Sequence, residues 1–506
     1  MLLYPWVLLV SLCLANHSDE YLPGYYQQAF TVSGSLYSFN LYLGTPPQML
    51  TVYLDFGSAD LFISSGANDC AKEVCSIYGN YPYFNTNDSD SFSFSGSFFT
   101  SSLSSDSLIV TAEWATDIIN FMNVTLDNFT LAYHDNVVAE TIQGSYGTSS
   151  YISWTSAMCY LGIGPKGLEE SVQWVYDGHP GPTYPNFLYS LPGVEPVYSI
   201  WVNPGTNTDG VVTFGAIDTA QFIPGTLVTV PIVNQQNIWS EVIEPVYLGV
   251  SVNSLTVNLM QPENLTNWIN QTLVITSDVA VFDSKANFSL PQAYLEQLGT
   301  ALSAVWSGSK GMYLMRCDLE GEIVIAISGF EFQIPLQEQL IPLGFSDTRG
   351  IGVCGLNIGV SKNVIFSNNL LQKYYVVVDY IANEIAFGSA AKVGEVTSST
   401  KIVTFSGSIP YATPAILYNA TQIVSGLEAT VGVSYIPTGL VLPATVSSAY
   451  VLGGTPVPTI ETKLNAAVST RSMAKVTEAS NAAGTTHAPR GQSFLYALVT
   501  LLFSLL

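Results

Sequence analysis

Apolar and polar positions alternate in twos along much of this chain, as in Leu227-Val228-Thr229-Val230-Pro231-Ile232, and helical spacing is scarce. Val, Ile, Tyr, Phe, Thr and Ser dominate, residues that suit a pleated, half-buried surface. The pattern predicts a mostly-β chain. Two apolar runs within it end alike. Val52-Tyr53-Leu54 leads into Asp55 and then Phe56-Gly57-Ser58-Ala59. Ala280-Val281-Phe282 leads into Asp283 and then Ser284-Lys285-Ala286. Each puts an acidic residue at the tip of a buried strand, in a tight turn. One such loop is commonplace. Two, one in each half of an all-β chain, suggest a duplicated scaffold that brings two carboxylates together. Close carboxylates do not both ionise easily, so they share a proton, and one serves as base while the other serves as acid.

Both chain ends depart from the alternation. Residues 1–15 form an apolar run closing in Cys13-Leu14-Ala15 and read as a secretory signal peptide. From 393 the chain turns rich in Ser, Thr, Ala, Val and Pro, a composition expected to give a disordered, O-glycosylated stalk over 393–481. The small residues Asn481-Ala482-Ala483, a polar spacer and the apolar stretch Phe494–Leu506 follow in the order of a GPI-attachment signal. Asn481 is the expected attachment site, with Ser480 and Gly484 as alternatives, and 482–506 would be removed. The terminal apolar stretch is too short to span a bilayer comfortably.

Composition narrows the partners. The 506 residues include 14 Lys and Arg against 38 Asp and Glu, a formal net charge of −24. Such a surface suits acidic surroundings and argues against nucleic acid or anionic lipid as partners. Eight N-x-S/T sequons, at Asn16, Asn87, Asn123, Asn128, Asn264, Asn270, Asn287 and Asn419, fit a secreted glycoprotein. His17, His134, His179 and His487 are scattered without metal-ligand spacing. No metal or other cofactor is expected, and no Ser-His-Asp arrangement is readable.

Further motifs carry a resemblance. Gly44-Thr45-Pro46-Pro47-Gln48 precedes Asp55, and Asp60-Leu61-Phe62-Ile63 follows it. Leu161-Gly162-Ile163-Gly164, Gly210-Val211-Val212-Thr213-Phe214-Gly215 and Tyr374-Tyr375-Val376-Val377-Val378-Asp379 complete the set. From about 27 to 392 the chain resembles a pepsin-family aspartic protease, and its ends resemble the fungal GPI-anchored, yapsin-like members. The resemblance implies a bilobal double β-barrel, with an N-terminal lobe over 27–195, a C-terminal lobe over 196–392, and a cleft between them. It implies catalytic roles for Asp55 and Asp283, supported by Phe56, Gly57, Ser58, Ser284 and Lys285. It places Phe94 in the hairpin flap over the cleft. It also implies the disulfides Cys70–Cys75 and Cys317–Cys354, which leaves Cys159 as a buried thiol.

Departures from the family pattern temper that reading. Phe56 stands where the family has Thr, Lys285 where it has Gly, Phe94 where it has the flap Tyr, and Phe62 where many members have Trp. Ser367 stands where the second supporting element, Ile365-Phe366-Ser367, would have Gly. Phe56 cannot make the cross-loop hydrogen bond that Ser284 can. Lys285 either favours the doubly charged pair or carries its ammonium outward to solvent. A glycan on Asn287 would lie near the cleft. The stretch His17–Phe30 has no Lys or Arg, so no basic prosegment is readable there. The expected function is a monomeric, surface-anchored acid endopeptidase acting on peptides or proteins. The alternative is a catalytically inactive pepsin-like glycoprotein that binds peptides or wall components.

Overall fold

Strands follow the two-residue pattern in the computed structural model, which describes residues 24–64, 84–102, 109–122, 124–134, 159–168, 175–176, 179–180, 186–236, 243–245, 247–261, 264–273, 278–284, 287–308, 310–347, 350–396, 402–419, 423–424 and 441–442. In Leu36–Leu43, Tyr37, Phe39, Leu41 and Leu43 are buried and the residues between them are not. In Gln48–Asp55 the burial becomes continuous from Val52 onward. That strand lies between Leu36–Leu43, antiparallel, and Cys159–Gly162, parallel. A strand covered on both faces needs an unbroken apolar run.

The result is the all-β, bilobal pepsin-like architecture. Among the described residues, one sheet joins fourteen strands and runs through both halves. Its seam is Tyr26–Ser33, which pairs antiparallel with Leu36–Leu43 on one side and with Asp209–Phe214 on the other. Beyond the seam, Val197–Val202 pairs with Asp209–Phe214 and with Tyr374–Asp379. Beneath it, Phe187 packs edge-on against Phe121 at 5.2 Å and against Phe214 at 5.9 Å, so one apolar core spans the two halves. An eight-stranded sheet in the second half carries Asp278–Phe282, the strand leading to Asp283. There Cys317 and Cys354 are bridged, with Cα atoms 5.0 Å apart.

Part of the segment expected to be a disordered stalk from 393 is folded. Ile402–Thr404 pairs antiparallel with Ala216–Asp218, and Thr413–Pro414 pairs parallel with Val228–Pro231. Ile409 and Ala415 are buried against the second half. Two apolar anchors and an open sheet edge thus hold this segment against the second half. Residues Asn16, Cys70, Cys75, Asn123, Lys285 and Asn481 lie outside the described residues.

Candidate active site

The two aspartate loops are built by the same device. After Asp55 the chain turns and returns as Leu61–Ser64, and Cys159–Gly162 threads between the two arms. It is parallel to the first arm (Asp55 opposite Gly162) and antiparallel to the second. Three backbone bonds lock the crossing: Ile163 N–H to Asp55 O at 2.9 Å, Gly162 N–H to Asp60 O at 2.9 Å, and Gly164 N–H to Ser58 O at 2.8 Å. Gly162 has to be glycine, since a Cβ there would lie 2.5 Å from Asp60 N. In the second half Val364–Phe366 threads parallel to Asp278–Phe282 and meets Ser289–Pro291 antiparallel, while Asp283 N–H donates to Phe366 O at 3.0 Å. The register puts Ser367 where Gly162 stands in the first loop. Ser367 carries its side chain there almost fully buried.

The loops meet. A Cβ placed on Gly57 would lie 3.2 Å from Asp283 Oδ1 and 3.4 Å from Asp55 Oδ1, so both carboxylates flank one point. Asp55 is fully buried and Asp283 half-buried. Asp55 Oδ1 accepts from Gly57 N–H at 2.9 Å and from the Ser284 hydroxyl at 3.0 Å. The same Ser284 oxygen accepts from Phe56 N–H at 3.0 Å. A single hydroxyl therefore reaches across from the second loop and holds both backbone and carboxylate of the first. Ser58 Oγ steadies its own turn by accepting from Asp60 N–H at 3.2 Å.

Phe56 makes no counterpart bond. Its ring is buried and stacks on Tyr198, with centroids 6.2 Å apart and planes within 6°. Tyr198 meets Tyr380 edge-on at 6.0 Å, and the Tyr380 hydroxyl donates to Ile163 O at 2.9 Å. Burial pushes both phenols well above their ordinary pKa. Sequence reasoning missed Tyr198 and Tyr380, because neither stands in an aspartate loop. Tyr37 and Asn368 were missed as well: the Tyr37 hydroxyl donates to Asn368 O at 3.1 Å, and Asn368 Nδ2 donates to Ser35 O at 2.7 Å, across the two halves.

The hairpin of Ser93–Ser102 with Ile109–Phe121 carries Phe94 at its base, opposite Ala115, just before a register shift. Gly96 occupies that irregularity with φ +76°, which favours glycine, and its N–H donates to Glu113 Oε1 at 3.0 Å. Phe94 is 49% exposed, with its ring edge-on to Phe92 at 4.8 Å and to Tyr133 at 5.6 Å. Phe62 is buried on Leu61–Ser64. Asn87, Asn128, Asn287 and Asn419 are exposed, and Asn264 and Asn270 lie on the strand Asn264–Leu273.

Two threaded aspartate loops, cross-linked by a hydroxyl and facing one point, define the class of pepsin-like aspartic peptidases. Comparison with known sequences agrees: the chain belongs to the family described as eukaryotic aspartyl protease, whose sequence profile matches residues 36–390. It is 27% identical to aspartic proteinase 3 of Saccharomyces cerevisiae, over 81% of this chain and 79% of that protein. It is 26% identical to aspartic proteinase yapsin-3 of the same yeast, over 76% and 72%. It is 25% identical to the probable aspartic-type endopeptidase OPSB of Arthroderma benhamiae, over 80% and 78%.

Proposed function

We propose that the protein is a secreted, surface-held aspartic endopeptidase that hydrolyses peptide bonds in acid, with Asp55 and Asp283 as its catalytic pair. The observation that carries this is the point beside Gly57 flanked at 3.2 and 3.4 Å by the two carboxylates. A water held between them loses a proton to one carboxylate and attacks the scissile carbonyl. The other carboxyl protonates the developing oxyanion and, later, the leaving amine. Ser284 fixes the orientation of Asp55 through the bond to Oδ1, and Phe94 offers an aromatic face to an extended peptide. Secretion is supported by the apolar N-terminal run and the sequons. A GPI anchor at Asn481 is supported by the order of small residues, spacer and apolar tail.

A second reading, a surface glycoprotein that binds peptides without cleaving them, is favoured by Phe56, whose ring replaces a hydroxyl beside the first aspartate. One experiment separates the two. The purified protein is incubated with an unfolded protein substrate from about pH 2 to 7, with and without a transition-state-mimicking aspartic protease inhibitor, beside Asp55→Asn and Asp283→Asn. Inhibitor-sensitive cleavage lost in both variants supports the peptidase. Cleavage that survives either substitution refutes the pair, and no cleavage at any pH leaves the binding role.

A further inference from the structure

Behind the second aspartate loop lies a polar cavity of about 270 Å³ that the peptidase chemistry does not use. Amide side chains dominate its wall: Asn287, Gln339, Asn357, Asn369 and Gln372, together with the hydroxyl of Ser367. Gln339 is 7% exposed and Ser367 2%. The Ser367 hydroxyl does not cap the short helix that follows it, and both side chains line the cavity. Polar groups that face a cavity are normally satisfied by what fills it, so this lining suits a polar occupant. The charged pair on the wall, Lys373 Nζ and Glu338 Oε1, is closed on itself at 2.6 Å, so the occupant is uncharged. The volume falls just below the roughly 300–1,000 Å³ of pockets that hold drug-sized ligands, which suits one sugar ring.

The chain carries an attachment point for such a ring on the cavity wall. Asn287 is exposed and begins the sequon Asn287-Phe288-Ser289. Its backbone is fixed there: the Ser289 hydroxyl donates to Asn287 O at 3.0 Å, and Gly359 N–H donates to Phe288 O at 2.9 Å. We propose that Asn287 is N-glycosylated and that the first N-acetylglucosamine of its glycan seats in this cavity. The proposal rests on the secretory reading above, but not on catalysis. In the transfer, Asn287 Nδ2 forms a bond to the sugar's anomeric carbon and gives up a proton. The bond from that carbon to a lipid-linked pyrophosphate donor breaks, and the pyrophosphate leaves with the electron pair. Ser289 is 1% exposed in the fold, so transfer precedes closure of this strand. The seated sugar then supplies hydroxyls and an acetamido group to Gln339 and Ser367. It ties the return from Asp283 to the segment Ser367–Lys373, and it holds the glycan behind the loop, out of the cleft.

The test uses the full chain secreted from a eukaryotic host. Release of each glycan by an amidase that cuts the Asn–sugar bond is followed site by site by mass spectrometry, on native and on denatured protein. The expected result is that Asn287 is occupied and that its native-state release is about tenfold slower than release at exposed Asn87 or Asn128. Seating for about nine-tenths of the time gives that factor. Denaturation should remove the difference, and so should Gln339→Leu combined with Ser367→Gly. If that double variant fails to fold, the native-to-denatured contrast in the unaltered protein still decides. An unmodified Asn287 beside other occupied sequons overturns the proposal, as does a glycan released at the same rate as at Asn87 and Asn128. If no sequon carries a glycan, the secretory reading and this proposal fall together.

Discussion

Ser284→Ala is the sharpest probe of how the two loops are joined. The hydroxyl accepts from Phe56 N–H and donates to Asp55 Oδ1, both at 3.0 Å, and Ser284 is fully buried. Removing it strands a buried amide, at a cost of about 1–3 kcal/mol, and deletes a bond to a carboxylate worth about 1.5–3 kcal/mol. The two losses share one atom, and Gly57 N–H still serves Asp55 Oδ1 at 2.9 Å. They therefore do not simply add, and the expected total is about 3 kcal/mol. At roughly 2 °C per kcal/mol in a fold of this size, Tm should fall by about 6 °C. Acid cleavage of an unfolded substrate should fall by about tenfold for each 1.4 kcal/mol of orientation lost in the transition state. Ser284→Thr keeps the hydroxyl and should retain most of both properties. An Ala variant that melts with the parent and cleaves at its rate would refute the cross-loop role of this side chain.

Stability should also depend on pH in a defined direction. Burial holds Asp218, Asp278, Asp379 and Glu384 above the ordinary carboxylate range. Their folded forms bind protons more tightly than the unfolded chain does. Their contribution is thus complete below the ordinary carboxylate values and is lost as pH rises through the folded ones. Asp209, held low by hydrogen bonds from Thr206 and Asn203, works the other way. Tm should therefore decline between about pH 4 and 7, and a steady rise over that range would contradict the assignment. Burial pushes the Cys159 thiol up to about 11, so it should resist thiol reagents at neutral pH until the protein is unfolded. Rapid labelling of the native protein would show that the thiol is accessible. The Cys317–Cys354 bridge spans 37 residues, and the chain-entropy relation gives it about 4 kcal/mol. Cys317→Ser with Cys354→Ser should lose about that much in denaturant unfolding, and unchanged stability would count against the relation here.

What was legible in the sequence was local or repeated. Two-residue alternation gave the strands, and two apolar runs ending in Asp gave both loops and their meeting. Ile365-Phe366-Ser367 marked the second threading strand and its missing glycine. What stayed hidden depended on distant partners. Nothing near Phe56 announces Tyr198, and nothing near Tyr380 announces the carbonyl of Ile163, 217 positions away. The segment 402–418 groups with the Ser- and Thr-rich tail because its apolar residues show no period, yet Thr413–Pro414 pairs at a sheet edge and Ile409 and Ala415 are buried.

These contacts also bear on what replacing the first loop's hydroxyl with a ring does to the site. A net hydrogen bond is worth about 0.5–1.5 kcal/mol, and an aromatic pair contributes a similar amount beyond its buried area. Phe56 on Tyr198, with Tyr380 braced against Ile163 O, can therefore offset the lost bond in stability. Orientation is another matter. Ring packing tolerates sliding in the plane, whereas a hydroxyl bonded at 3.0 Å fixes a direction. The first loop is thus held from below by packing and from across by the Ser284 hydroxyl, with Gly57 N–H holding the carboxylate from within the loop. Directional control of the buried carboxylate is shared between the Gly57 amide and a hydroxyl of the opposite loop. The cost of the Phe56 replacement should then fall on the rate of the reaction more than on the stability of the fold.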